Sequence, residues 1–166
     1  MGSAFDYEIS GKKLTLTDNK GRSVKYQKGK IEGKALIDNR DGKKYKTVTI
    51  GSKTWMAENL NYEAKGSKCY ENKDENCTTY GRLYNWSTAM KACPSGWHLP
   101  SKTEYEALDK AVGGEEVAGK KLKAKSGWNK NGNGTDDFGF PAMPGGGGHS
   151  HDSFKSVLYS VRCVQD

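Results

Sequence analysis

Cys93-Pro94-Ser95-Gly96-Trp97-His98-Leu99-Pro100, running straight into Ser101-Lys102-Thr103-Glu104, is the stretch from which the architecture of this 166-residue chain is read. Its two prolines bracket a connector that cannot be helical, because each fixes φ and lacks an N–H. Trp97 is too large and apolar to be left in water, so it is expected to pin the connector to a core. Ser101 and Glu104 have the spacing of a capping box, which predicts a helix from Lys102 to about Val112, with Tyr105, Leu108 and Val112 on one face. Gly113-Gly114 then supplies the stop. Cys93 and His98 stand five residues apart and invite an active-site reading. A half-cystine beside a positioned scaffold histidine accounts for them equally, and capping accounts for Glu104.

Outward from this stretch, the four cysteines allow three pairings. Cys69 and Cys77 flank a polar loop, residues 70–76, that has little apolar content to hold itself together. A local Cys69–Cys77 bridge with a long-range Cys93–Cys163 bridge is the economical arrangement. Closing a loop of about 70 residues is worth roughly 4 kcal/mol on chain-entropy grounds. Zinc is the competing use, but no two cysteines have the close spacing of structural zinc ligands. Disulfides point to an extracellular or outer-surface location. No apolar run is long enough to span a membrane, and no signal peptide follows Met1. Met1-Gly2-Ser3 reads as a vector-derived start, which leaves room for a natural signal or lipid anchor upstream.

Apolar residues make up only 34% of the chain and glycine contributes 21 positions, so a loop-rich fold with a modest core is expected. The net charge of +7 is uneven: residues 1–60 hold 13 Lys and Arg against 7 Asp and Glu. These lysines are scattered among Gly, Asp and Glu, which suits solvated strand faces better than a nucleic-acid surface, so no nucleic-acid partner is expected. Lys13–Thr17 and Ser23–Tyr26 flank the turn Asp18-Asn19-Lys20-Gly21 and read as a hairpin. Asp41-Gly42 signals a second hairpin between Ala35–Ile37 and Tyr45–Ile50, and Gly51-Ser52 a third turn, with Ile50 and Trp55 expected inside. Leu83, Trp86, Met90 and Cys93 recur at helical spacing and predict an amphipathic helix over 82–91 with Trp86 in the core. Leu122 is read as alternating inward from the lysines of 120–125. Phe138–Pro144 reads as buried irregular chain. The last strand, Val157–Val164, is expected to turn Val157, Tyr159, Val161 and Cys163 to one face.

Two loops carry possible ligand chemistry. Asn131, Asn133, Asp136 and Asp137 interleave oxygen donors with glycine and partly match a calcium loop, so calcium is the one cofactor the sequence leaves open. Left-handed turns explain the same residues. His149-Ser150-His151-Asp152, behind the tetraglycine 145–148, offers metal ligands on a tether that does not preorganise them.

With these residues in view, the chain resembles a known family. Asp41-Gly42-Lys43 with Tyr45-Lys46-Thr47-Val48, then Ile50-Gly51 and Thr54-Trp55-Met56-Ala57-Glu58-Asn59-Leu60-Asn61-Tyr62, are similar to its opening signature. Tyr80-Gly81-Arg82-Leu83-Tyr84-Asn85-Trp86, the Cys93–Pro100 stretch, Gly132-Asn133-Gly134-Thr135-Asp136 and Ser160-Val161-Arg162-Cys163-Val164 follow in the same order. The family is the Fibrobacter succinogenes major paralogous domain, found in surface and secreted proteins, often lipoproteins. The resemblance spans about residues 38–166 and leaves 1–37 as an N-terminal β-hairpin extension. It implies an α+β fold of C-type lectin-like type: two amphipathic helices with an antiparallel β-sheet, loop-rich and disulfide-stapled. It also implies the Cys93–Cys163 staple. The family's longer segment before the closing strand is shortened here to Gly145–Ser156.

The function expected from this is a non-catalytic surface or secreted module that recognises glycan or protein through its loops. Tyr70, Tyr80 and Trp128 are the candidate ligand-binding aromatics. A structural or assembly domain of a larger surface protein is the alternative. A formylglycine-generating type of enzyme needs reactive cysteines close together, and structural pairs account for all four. No paired-carboxylate or Ser/His/Asp order stands out. The ligand's identity and the oligomeric state are not legible.

Overall fold

The structure, a computed structural model, describes the backbone of residues 6–10, 13–17 and 23–27, and the chain over 35–144 and 158–166. The turn at Asp18–Gly21, the His149–Asp152 motif and Val157 lie outside the described residues. The chain divides into two units, Met1–Lys30 and Ile31–Asp166. In the first, β1 (Asp6–Ser10), β2 (Lys13–Thr17) and β3 (Ser23–Gln27) form an antiparallel meander in which Leu14 stands between Ile9 and Tyr26. The expected hairpin is the β2–β3 pair.

In the second unit, β4 (Leu36–Ile37) pairs with β5 (Lys44–Tyr45) across Asp41-Gly42. Leu36 and Ile37, grouped by the sequence with the extension, therefore pair within the larger unit. Asp38 closes this turn: its carboxylate is buried and takes two bonds from the Arg40 side chain, at 2.8 and 2.6 Å. Arg40 reaches on to the Ala92 carbonyl at 2.7 Å and lies 3.7 Å above the Tyr62 ring. β6 (Thr47–Ile50) and β7 (Lys53–Met56) form the third hairpin.

The main sheet has the order β6-β7-β11-β9, with β9 at Trp97–His98 and β11 at Val164–Gln165. Its two faces bury different cores, as strand periodicity requires. Val48, Ile50, Trp55 and Val164 pack with Leu108, Val112, Ala118, Leu122 and Phe140. Met56, Val161 and Cys163 pack with Tyr45, Leu60, Tyr84, Ala89 and Ala92, and half-buried Trp97 rests on this second core as expected. Among the described residues no helix is long and apolar enough to cross a membrane.

Both expected disulfides are present, Cys69–Cys77 and Cys93–Cys163, and no described cysteine is free. Helix α3 (Lys102–Ala111) starts at Ser101 with both arms of the capping box formed. Among the described residues four helices stand where two were expected. The loop between Cys69 and Cys77 folds into a 3₁₀ turn (Tyr70–Asn72) and α1 (Asp74–Tyr80). Over 82–91, Leu83–Tyr84 is strand β8, and Asn85 caps a short helix α2 (Trp86–Ala89) by accepting the Thr88 N–H at 2.9 Å. The apparent stripe is thus split between two elements, and Trp86 and Met90 are 69% and 56% exposed. Residues 115–122, part of which was read as alternating, form α4 (Glu115–Leu122). Its Glu115-Glu116 start and Lys120-Lys121 end complement the helix dipole, and Ala118 and Leu122 share its buried face. Lys121 is not merely solvated, for its Nζ donates to the Val112 carbonyl at 2.7 Å.

The closing strand also differs. Tyr159–Ser160 (β10) pairs with β8 and leaves Tyr159 exposed, while Val161, Arg162, Cys163 and Val164 are all buried. Alternation fails because the segment 161–164 runs into the inner strand of the sheet between the two cores, where a continuous run of buried residues is favoured. The Met56 N–H donates to the Cys163 carbonyl and the Leu60 N–H to that of Val161, which extends the contact beyond the strand proper.

His98 ties three elements together at the edge of this sheet. Its Nδ1 meets the Asp166 carboxylate, and its Nε2 lies 3.0 Å from both carboxylate oxygens of Glu104. Glu104 also accepts from the Ser101 N–H at 2.9 Å and from Lys53 Nζ at 3.1 Å. The bond to Asp166, then that to Glu104, raises the His98 pKa above its usual value. Burial alone raises that of Glu104, but the Ser101 N–H, His98 and Lys53 outweigh it and lower it to about 2. The imidazolium contribution is complete below the ordinary histidine pKa and is lost as the pH rises through the elevated one. The Glu104 contribution is complete above the ordinary glutamate value and is lost as the pH falls toward about 2.

Two outcomes follow for stability. Replacing Cys93 and Cys163 together by alanine should cost roughly 4 kcal/mol in denaturant unfolding, and the Cys69/Cys77 pair about 2.5 kcal/mol, since the closed loops differ in length. Equal losses would show that loop closure does not govern them. A His98→Gln chain should lose stability relative to the parent below about pH 6.5, and the difference should shrink as the pH rises through the elevated His98 value. A pH-independent difference between the two unfolding curves would refute the staple.

Candidate functional site

A cleft of about 380 Å³ opens on the second unit where five pieces of chain meet. Lys43, Lys44 and Tyr45 come from the β4–β5 hairpin, and Glu58, Asn59 and Asn61 from the irregular chain after β7. Thr78, Thr79 and Tyr80 come from the end of α1, and Pro141, Met143 and Arg162 complete the lining. A larger hollow lies between the end of α3 and the start of α4, lined by Glu106, Asp109, Lys110 and Gly113–Glu115. It has no aromatic wall and sits where two helix ends simply diverge.

Main-chain anchors fix the walls of the cleft. Asn59 works from both ends of its carboxamide: Nδ2 donates to the Tyr80 carbonyl at 2.8 Å, and Oδ1 accepts from Arg162 Nε at 2.8 Å. Gly81 permits this approach. Its φ is +75°, and a Cβ there would stand 2.8 Å from both Asn59 Cβ and the Leu60 carbonyl oxygen. The Asn61 N–H donates to the Tyr45 hydroxyl at 3.1 Å, and burial pushes the pKa of that phenol up to about 12, so it stays protonated. The Cys69–Cys77 bridge holds α1 against this wall, with Cys77 itself in the lining.

Arg162 is the residue that sequence reasoning missed. It is 8% exposed, its Nη1 and Nη2 donate to the Phe140 and Pro141 carbonyls at 3.2 and 2.6 Å, and its guanidinium lies 4.5 Å from the Phe140 ring centroid. Burial lowers its pKa to about 10, so it is still cationic at neutral pH. The signal was an arginine inside the apolar run Val161-Arg162-Cys163-Val164, where a charge has to be placed for a reason. Trp86 was missed in the opposite sense, as a supposed core residue; the Asn85 cap directly before it was the available sign.

Of the three candidate aromatics, Tyr80 lines the cleft. Tyr70 stands outside that lining on the 3₁₀ turn, 39% exposed. Trp128 is half-buried, its Nε1 donates to the Ala142 carbonyl at 2.9 Å, and Lys123 Nζ lies 4.6 Å from its ring centroid. That ring is engaged within the fold.

The 131–137 loop is likewise spent on the scaffold. The N–H groups of Thr135, Asp137 and Asp136 donate to the carbonyls of Lys120, Lys121 and Lys123, and that of Gly134 to Ala124, so the loop caps the end of α4. A Cβ on Gly134 would overlap the Lys123 and Lys120 carbonyls, which explains the glycine. Lys130, Asn131 and Asp136 take the left-handed conformation of the turns. Asn133 Oδ1 accepts the Trp128 N–H at 3.0 Å. Asp136 keeps one buried carboxylate oxygen without a partner, and burial raises its pKa. Among the described residues no three His, Cys, Asp or Glu side chains gather as metal ligands. The loop therefore does not fit a calcium cage, since Asn133 is turned to the main chain and the backbone is committed to α4.

A model of the Fibrobacter succinogenes major domain matches residues 48–157, about two thirds of the chain. That span covers β7, both walls of the cleft around Asn59 and Tyr80, the Cys93 connector and the loop that caps α4. No curated protein and no solved structure matches the chain significantly. The chain belongs to the Fibrobacter succinogenes major domain family.

Proposed function

We propose that this chain is a non-catalytic binding module of the cell surface or the secreted space, on a C-type lectin-like scaffold, and that it takes a glycan in the Asn59–Tyr80–Arg162 cleft. The observation that carries this reading is the lining itself. An aromatic side chain stands beside the hydroxyls of Thr78 and Thr79 and the carboxamides of Asn59 and Asn61, with Pro141 and Met143 as the apolar part. Sugars present hydroxyls at their edges and C–H groups on their faces, and such a mixed lining answers both. Two disulfides suit an oxidising compartment. The Cys93–Cys163 tie between the last strand and the connector before α3 is the feature that supports a lectin-like build.

A structural or assembly role is the second reading, favoured by Trp86 at the start of α2 and Met90 at its C-cap, which stand exposed one turn apart. Trp86→Ala separates the two, since it should leave glycan binding intact and reduce any association with envelope proteins.

A glycan array combined with a pull-down on insoluble polysaccharide tests the leading reading. Tyr80→Ala should weaken retention about tenfold, the worth of one aromatic contact, while Trp128→Ala should do so only as far as it unfolds the chain. Retention should survive a calcium chelator. A blank on both supports would refute the glycan reading.

A further inference from the structure

We infer that the glycan taken by this cleft is acidic, with its carboxylate or sulfate received by Arg162 at the wall and Lys44 at the rim. The inference rests on the glycan reading of the cleft and narrows it to a ligand class.

Arg162 lines the cleft although only 8% of it is exposed. Its three hydrogen-bond partners, Asn59 Oδ1 and the carbonyls of Phe140 and Pro141, are all neutral. Among the described residues no carboxylate lies within ion-pair distance of it; Glu58 and Asp136 act on it only through space. Buried charges are ordinarily paired, because removing an ion from water is not repaid by dipoles alone. Holding two carbonyls and one amide is work that a neutral donor does without that cost. A guanidinium carries five N–H donors in a planar fork, and the three contacts use three of them. An anion in the cleft supplies the missing counter-charge in the geometry that arginine suits best.

The rest of the lining is consistent in sign. Lys43 is already tied to Asp41 at 2.8 Å, whereas Lys44 is exposed on β5 and appears in no ion pair among the described residues. Glu58, the acidic residue of the lining, turns one oxygen to the Lys46 N–H at 2.7 Å. Two cations without a carboxylate partner among the described residues thus line the cleft against one carboxylate held by main chain.

The test is the affinity of the full chain for polygalacturonate and for the same polymer fully methyl-esterified, with dextran sulfate and plain dextran as the sulfate arm. The charged member of at least one pair should bind about tenfold more tightly at low salt, and added salt should narrow the gap. The pair that shows it identifies carboxylate or sulfate as the recognised group. Equal affinity within both pairs would overturn the acidic assignment and leave the glycan site standing. Binding to none of the four, with neutral glycans retained on the array, would overturn it as well. Lys44→Gln should lower the preference about threefold, and Arg162→Gln should abolish it in whatever fraction remains folded by thermal melt. A Lys44→Gln chain with undiminished preference, or a Lys102→Gln chain on α3, outside the lining, that loses as much, would refute the site.

Discussion

The bond between Cys93 and Cys163 constrains the strand on which both cores depend. Val164 belongs to the core with Trp55 and Phe140, and Val161 and Cys163 to the core with Met56 and Tyr84. The segment that leads into β11, Val161–Val164, therefore stands between two hydrophobic clusters and supplies wall to each. It also comes last in the chain and pairs with β7 and β9, which precede it by scores of residues. Contacts of that sequence separation carry a large closure entropy, and a covalent tie at the same place reduces it in the unfolded chain. The His98 contacts to Asp166 and Glu104 act at the same edge, on β9, β11 and α3. Covalent and ionic ties converge on the element that has the farthest to travel.

The same constraint sets the cleft. Arg162 lies between Val161 and Cys163, so its main chain is fixed by two core residues and a disulfide. From there its side chain reaches Asn59 and the Phe140–Pro141 carbonyls, and Asn59 passes the connection on to Tyr80. No part of this path depends on an exposed flexible side chain. A wall built in this way is formed before any ligand arrives, and preorganisation of this kind lowers the cost of binding.

What the sequence made legible were features with local causes. Turn glycines at Asp41-Gly42 and Gly51-Ser52 placed two hairpins, the Ser101/Glu104 box placed α3, and cysteine economy gave both bridges. Features settled by tertiary context were misread. Leu83, Trp86 and Met90 mimic a helical stripe, but pairing with Tyr159–Ser160 takes Leu83–Tyr84 into a strand, and Asn85 restarts the chain as a helix beyond it. The alternation read into the last strand assumed a solvated face, and residues 161–164 have none. Glu115-Glu116 and Lys120-Lys121 did announce α4, yet glycines at 113, 114 and 119 masked it. Of the cleft, Tyr80 was legible as one of three candidate ligand-binding aromatics. Arg162 was not, because its part in the site comes from a carbonyl pair some 20 residues upstream that only the folded chain brings to it.

The division of labour among the loops follows from backbone accounting. Helix α4 ends with carbonyls that need donors, and the 131–137 loop supplies three N–H groups for that purpose and a fourth to Ala124 just beyond, with Asn133 turned inward as well. A loop whose amides and one side-chain oxygen are spent in this way is part of the scaffold, however much its Asn and Asp content resembles a ligand loop. The walls of the cleft show the opposite balance. Thr78 and Thr79 return their hydroxyl protons to helix carbonyls, at 3.5 and 3.1 Å, and keep lone pairs free to accept. Arg162 gives three of its five donors to the fold. Unspent hydrogen-bonding capacity remains at the Asn59–Tyr80–Arg162 wall and is mostly taken up by the fold at the glycine-rich loop, so the richer-looking motif is the one bound into the scaffold.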